Sequence, residues 1–334
     1  MKEALYYKIL SPNLKKLQCT LCPHSCIILE NELGKCLARK NVNGKLFALN
    51  YENISSLALD PIEKKPLYHF FPTKQILSVG SWGCNFKCGF CQNYQISQTT
   101  VEPTISQKVL PQKLVSYAKK IKNNIGIAHT YNEPLINIEF VIDTAQLVHK
   151  NNLFNILVTN GYINHRPLLD ILPLIDAANI DLKSFDNNFY QQYCEAELRF
   201  VLKTIETFVA NNKHIEITTL LIPGFNDDKK NILNIINYIS SLSKDIPLHF
   251  SKYFPQYKFN APPTTQDVLF QAYNLAKEKL NYVYLGNIFD EEHSSTFCPQ
   301  CKKKVISRLG YETKIVGLTK NKCSYCGNEL KIFV

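Results

Sequence analysis

Eleven of the twelve cysteines in this 334-residue chain fall into three tight groups. Cys19, Cys22, Cys26 and Cys36 form the first, Cys84, Cys88 and Cys91 the second, and Cys298, Cys301, Cys323 and Cys326 the third, while Cys194 stands alone and reads as a buried apolar residue. The opening residues, MKEALYYKILSPNLKK, lack the apolar run of a secretory signal. In such a chain, tight cysteine groups mean metal sites rather than disulfides.

The middle group reads Gly83-Cys84-Asn85-Phe86-Lys87-Cys88-Gly89-Phe90-Cys91, a C-x3-C-x2-C spacing with an aromatic before the last cysteine. Three thiolates can hold three irons of a [4Fe–4S] cube and leave the fourth iron without a protein ligand. The amino and carboxylate groups of S-adenosylmethionine can chelate that open iron. One electron then splits the C5′–S bond, and the resulting radical removes hydrogen from a substrate. Zinc is the competing metal, but a structural zinc site is normally closed by a fourth ligand. Three buried thiols without a metal are the plain alternative.

The outer groups differ from the middle one. Cys19, Cys22, Cys26 and Cys36 follow C-x2-C-x3-C-x9-C, four soft ligands that could close around zinc or an auxiliary iron–sulfur cluster, with His24 read as a loop residue. Cys298-Pro299-Gln300-Cys301 and Cys323-Ser324-Tyr325-Cys326-Gly327 are two knuckles with the spacing of a zinc ribbon. A tail this short has little core of its own, so metal binding would be its main source of stability.

The rest of the chain must position these groups. Runs rich in β-branched and apolar residues predict strands at 75–80, 125–130, 154–159, 178–182, 214–222 and 247–253, with a further short run at 282–285. Helical periodicity lies between them: Ile138, Val141, Ile142, Ala145 and Val148 share one face, as do Ile232, Ile235, Ile236, Ile239 and Leu242. The turn Pro223-Gly224-Phe225-Asn226-Asp227 ends a strand and places Asp227 near a helix start. Alternating strands and helices require a parallel α/β sheet, here a partial (βα)6 barrel open on one side. Ligands collect at the carboxyl ends of such strands. The expected division is an N-terminal cysteine-rich extension over 1–70, a core over 71–290 and a ribbon-like tail over 291–334.

The cluster loop resembles the signature of the radical S-adenosylmethionine (radical SAM) superfamily, in which the aromatic at Phe90 flanks the adenine. The strand ends Thr130-Tyr131-Asn132-Glu133-Pro134, Val158-Thr159-Asn160-Gly161 and Asp181-Leu182-Lys183 resemble those of glycyl-radical activating enzymes such as the pyruvate formate-lyase activase. The resemblance implies cofactor contacts from Asn132, Glu133, Asn160, Asp181 and Lys183, with Glu133 suited to the ammonium and Lys183 to the carboxylate. By themselves, Asn160-Gly161 could be a turn and Lys183 a strand-end solvent contact. Val158 and Phe254 stand where activases carry Asp and His, which bears on a monovalent-cation site and on one polar cofactor contact. The Cys-Thr-Leu-Cys-Pro-His-Ser-Cys start, the stretch from Asp60 to Phe70, Cys91-Gln92-Asn93-Tyr94, residues 159–164 and the tail resemble the radical SAM component of the AmmeMemoRadiSam system over essentially the whole chain.

The expected activity is therefore reductive cleavage of S-adenosylmethionine with hydrogen abstraction from a substrate, which could be a backbone glycine of a partner protein. A reductant such as flavodoxin or ferredoxin and the other two AmmeMemoRadiSam components are the implied partners. Modification of RNA or a small molecule is a rival within enzymes. A nucleic-acid-binding ribbon on a dead barrel is the rival outside them, with Lys302, Lys303, Lys304 and Arg308 near Tyr311 as its basic and aromatic surface. The net charge of +10 fits a solvated surface, since the lysines are dispersed. No stretch is apolar and long enough to span a bilayer, and a cytoplasmic protein is expected.

Overall fold

The computed structural model describes residues 1–99 and 106–334. Its main sheet begins with Ser56–Pro61 (β1), antiparallel to Gln75–Gly80 (β2). Asn124–His129 (β3), Phe154–Thr159 (β4), Ala177–Asp181 (β5), His214–Leu221 (β6), Leu248–Lys252 (β7) and Val283–Gly286 (β8) follow, each parallel to its neighbour. Their order in space is their order in the chain, and β1 does not pair with β8, so the barrel stays open. The run at 282–285 supplies a seventh parallel strand beyond the expected six. At the other edge β1 comes from within the stretch read as an N-terminal extension.

Helices Pro111–Lys120 (α1), Ile138–Lys150 (α2), His165–Ile171 (α3), Leu198–Ala210 (α4), Lys229–Leu242 (α5) and Gln266–Lys277 (α6) make the crossovers. The apolar faces legible in sequence are the buried ones: Ile138, Val141, Ala145 and Val148 of α2, and Ile232, Ile235, Ile236 and Ile239 of α5, are all in the core. The cap of α5 lies one residue later than the sequence suggests. Asp228 accepts the Asn231 N–H at 3.0 Å, while Asp227 accepts the Gly224 N–H inside the preceding turn.

Two small three-stranded sheets precede β1. The one that contains Arg39–Val42 is fixed to α2 by a fully buried ion pair, Arg39 with Glu139, whose two carboxylate oxygens lie 2.6 and 2.8 Å from one guanidinium nitrogen. The tail adds Thr296–Phe297 (β9), Lys304–Leu309 (β10) and Glu312–Ile315 (β11) as an antiparallel sheet. It docks on the barrel through buried polar groups. Arg308 donates to Thr296 Oγ1 and to the Tyr68 carbonyl, each at 2.7 Å, and its guanidinium lies 4.3 Å from the Tyr68 ring centre. Tyr284 links Thr296 to His69, which leads by its N–H to the buried carboxylate of Glu216. Among the described residues no helix is long and apolar enough to cross a membrane.

Candidate active site at the strand ends

Local geometry first fixes the cluster loop. Gly83 has φ +81° at the loop's start, and a Cβ there would stand 2.4 Å from the Cys36 carbonyl, so only glycine lets the loop press against the N-terminal segment. His24 seals the same junction, its Nε2 lying 2.7 Å from the Asn85 carbonyl. Asn132 then braces the loop from the end of β3: its Oδ1 accepts the Ser81 N–H at 2.9 Å and its Nδ2 donates to the Gly83 carbonyl at 3.0 Å. Asn160, past the end of β4, donates to Asn85 Oδ1 at 2.9 Å and places the same amide 3.7 Å from Cys84 Sγ. Both asparagines are thus committed to the loop first, and any cofactor contact they make comes from what remains.

Cys84, Cys88, Phe90, Cys91, Asn132, Glu133, Asn160, Asp181 and Lys183 all line one cavity of about 540 Å³. The three cysteines of the middle group and every residue read from the sequence as a cofactor contact therefore share one cavity wall. The sulfurs receive donors suited to cluster thiolates: the Phe86 N–H lies 3.3 Å from Cys84, and the Ser97 hydroxyl 3.1 Å from Cys91. Burial pushes the Cys84 and Cys91 thiols up, and Cys88 is raised by its hydrogen bond to Cys194 and then by burial. The donors aimed at Cys84 and Cys91 are what fit thiolates held on iron.

Glu133 is buried and tied down. Its Oε1 accepts Thr159 Oγ1 at 2.7 Å and the Leu135 N–H at 3.0 Å, and its Oε2 accepts the Asn160 N–H at 2.8 Å. Burial nonetheless raises its pKa to about 7, against those hydrogen bonds. Lys183 donates to Asp181 Oδ2 at 2.9 Å and lies 5.9 Å from the Phe90 ring centre. Burial works against its charge, but Asp181 and the neighbouring Cys88 and Cys194 hold its pKa well above the ordinary lysine value. The site thus offers a carboxylate, an ammonium–carboxylate pair and an aromatic face beside three thiols.

The two outer cysteine groups part ways. Cys298, Cys301, Cys323 and Cys326 bring their sulfurs within 4.8 Å of one another, with Cys298–Cys326 and Cys301–Cys323 both at 3.7 Å. That is close to the edge of a tetrahedron built on a Zn–S bond of about 2.3 Å, roughly 3.8 Å. Cys19, Cys22, Cys26 and Cys36, expected to close a second four-ligand site, are neighbours but do not gather in this way. Cys19 and Cys22 are buried in the main apolar core with Leu17, Leu21 and Phe86, and Cys26 packs against it. All twelve cysteines are free thiols. Arg308 is also corrected: it is fully buried, so it is no part of a basic surface for nucleic acid.

Sequence reasoning missed Lys64, Lys65, Tyr131, Thr218 and Tyr311, which line the same cavity. Tyr131 carries a left-handed backbone, φ 72°, which is strained for a tyrosine. That turn packs its ring on Gly80, where a Cβ would meet Tyr131 Cδ2 at 2.9 Å. No local sequence signal marks it.

Residues 80–236 match the model of the radical SAM superfamily. The chain belongs to that superfamily and is a radical SAM enzyme. It is 41% identical to the uncharacterized protein MJ0808 of Methanocaldococcus jannaschii over 99% of each chain. It is 24% identical to the pyruvate formate-lyase 1-activating enzyme of Escherichia coli K12, over 44% of this chain and 61% of that enzyme. Among solved structures, a domain of the pyruvate-formate lyase-activating enzyme from Bacteroides vulgatus aligns at TM-score 0.44 and 23% identity, covering 48% of this chain and 99% of that domain.

Proposed function

We propose that the protein cleaves S-adenosylmethionine reductively and removes a hydrogen atom from a substrate, as the activating enzymes' relatedness suggests, with a backbone position of a partner protein as the preferred target. Cys84, Cys88 and Cys91 would hold the [4Fe–4S] cluster. Such a cluster, reduced by a flavodoxin- or ferredoxin-like donor, would supply the one electron needed for reductive cleavage of the cofactor's C5′–S bond. The chain's own residues orient the cofactor. Lys183 would meet its carboxylate and Glu133 the N–H groups of its amino group through charge-assisted hydrogen bonds, and Phe90 would offer a face to the adenine. Asn132 and Asn160 hold the loop that carries the thiols. The tail would bind one zinc ion and close a wall of the cavity with Tyr311.

The observation that carries this reading is the single cavity of about 540 Å³ shared by the three cysteines and the polar groups of three successive strand ends. A zinc site or a set of inert thiols needs no such cavity. The partner proteins of the AmmeMemoRadiSam system are the candidate substrates. Anaerobic incubation with S-adenosylmethionine, dithionite and each candidate in deuterated form tests the proposal: deuterium should reach 5′-deoxyadenosine with one of them. Reconstituted protein that forms no 5′-deoxyadenosine at all would overturn it.

A further inference from the structure

Part of this cavity is built by groups that the cofactor reading leaves unused. The stretch from Asp60 to Pro66 leaves β1 and brings Lys64 and Lys65 to the wall, where Tyr131 and Tyr311 join them. Asp60 is the hub: its carboxylate accepts Lys64 at 2.8 Å, Lys65 at 2.8 Å and the Tyr131 hydroxyl at 2.7 Å. One negative charge therefore answers two ammonium groups. Lys64 is partly exposed and can turn to water, but Lys65 is only 2% exposed.

An ammonium carries three N–H donors. Lys65 places one on Asp60, and its nitrogen lies 4.6 Å from the Tyr131 ring centre, a face that offers attraction but no lone pair. No further acceptor meets it among the described residues, so a buried cation faces the cavity with a donor to spare. A second group points the same way. Thr218, on β6, is nine-tenths buried and lines the cavity, yet its Oγ1 has no hydrogen-bond partner. Buried polar groups left open in this way are costly unless a ligand completes them.

Lys65 stands apart from the cofactor's anchors, whereas Thr218 pairs with Asp181 on the neighbouring strand and so joins the two parts of the cavity. The charge paired with Lys183 is Asp181, whereas Lys65 pairs with Asp60 beside Lys64. We infer that Lys65 is the anchor of a substrate subsite that takes a carboxylate, with the Thr218 hydroxyl as a second substrate contact in the same cavity. A compact, singly charged oxyanion matches the surplus of one positive charge. The inference rests on the proposed function in one respect, that a substrate shares this cavity with S-adenosylmethionine. The carboxylate can belong to an acidic side chain of a partner or to a free acid, and the two are separable by experiment.

Isothermal titration of the reconstituted protein with saturating S-adenosylmethionine provides the test. Butyrate is compared with butyramide, and acetyl-Gly-Glu-Gly-amide with its Gln counterpart. The carboxylate of at least one pair should bind about tenfold more tightly than its amide. A preference confined to the peptide pair assigns the carboxylate to a chain, one confined to butyrate assigns it to a free acid, and either supports the subsite. In Lys65→Met that preference should vanish while S-adenosylmethionine affinity stays at the wild-type value; Asp60 keeps Lys64 and Tyr131, and a thermal melt checks folding. Should the variant fail to fold, the wild-type comparison decides alone. Equal binding of acid and amide in both pairs overturns the inference, as does a preference that survives in folded Lys65→Met. Formation of 5′-deoxyadenosine in the same samples reports separately on the proposed activity.

Discussion

The backbone N–H of Asn160 donates to Glu133 Oε2 at 2.8 Å, so the ends of β3 and β4 are joined through a buried carboxylate that faces the cluster cavity. Asn160 then reaches Cys84 with its side chain, 3.7 Å from the sulfur. A change in the charge of Glu133 is therefore felt by the segment that steadies a cluster ligand.

Glu133 titrates in an accessible window. Its pKa is raised from 4.5 to about 7 by burial, so its contribution to stability is fully present below about pH 4.5 and is lost as pH rises through about 7. The N–H groups of the cofactor's amino group need the ionised form as their acceptor and pull that pKa back down. Affinity for S-adenosylmethionine should accordingly rise from pH 6 to pH 8 in the wild type. Glu133→Gln should flatten that dependence and weaken binding about tenfold or more at pH 8. Anaerobic calorimetry across the range checks both, and an unchanged pH profile in Glu133→Gln would remove this residue from the cofactor site.

Substituting any one of Cys84, Cys88 or Cys91 with alanine should abolish 5′-deoxyadenosine formation, because two thiolates do not hold the cube with one open iron. Lys183→Met should differ in kind. It should keep the EPR signal of the reduced cluster but bind S-adenosylmethionine about tenfold or more weakly. Wild-type turnover in any cysteine variant would end the cluster assignment.

The sequence made the barrel and its upper rim legible because a parallel sheet turns short motifs at successive strand ends into neighbours. Asn160 and Lys183 are far apart in the chain yet share a cavity for that reason alone. Lys65 and Tyr131 were not legible, since their meeting depends on an antiparallel edge strand and on a left-handed residue that no pattern announces. Arg308 is a similar case: it looked like a surface cation beside three lysines, but it reaches the carbonyl of Tyr68 across 240 residues of chain. The N-terminal cysteines misled in the opposite direction. Their spacing suits a metal, but their sulfurs are not drawn together as those of the tail are, and spacing cannot report how side chains pack.

The tail should hold one zinc ion per chain through four sulfurs, measurable by metal analysis and X-ray absorption. Cys298 and Cys323 are buried in the same apolar cluster as Tyr68, Tyr282 and Tyr284, so losing the ion disturbs the barrel's edge as well as the ribbon. Cys301→Ser should therefore lower the unfolding temperature and loosen the wall that carries Tyr311, while the reconstituted core keeps its iron. Iron in place of zinc in protein purified without reconstitution would overturn the metal assignment.

The last prediction concerns what binds the N-terminal sheets to the barrel. Arg39 and Glu139 are each 1% exposed, and besides the ion pair Arg39 donates to the Leu5 carbonyl at 2.9 Å while Glu139 accepts the Leu5 N–H at 2.7 Å. Removing one partner strands the other charge away from water, which costs about 3–5 kcal/mol, whereas removing both costs far less. Arg39→Met should accordingly lower the free energy of unfolding by about that amount, and Arg39→Met combined with Glu139→Leu should recover much of it. Because Cys36 presses on Gly83 at the root of the cluster loop, the single variant should also reconstitute less iron than the double variant. Denaturant unfolding with iron content measured on the same samples checks this, and equal stability of the single and double variants would show that the pair is not the clamp.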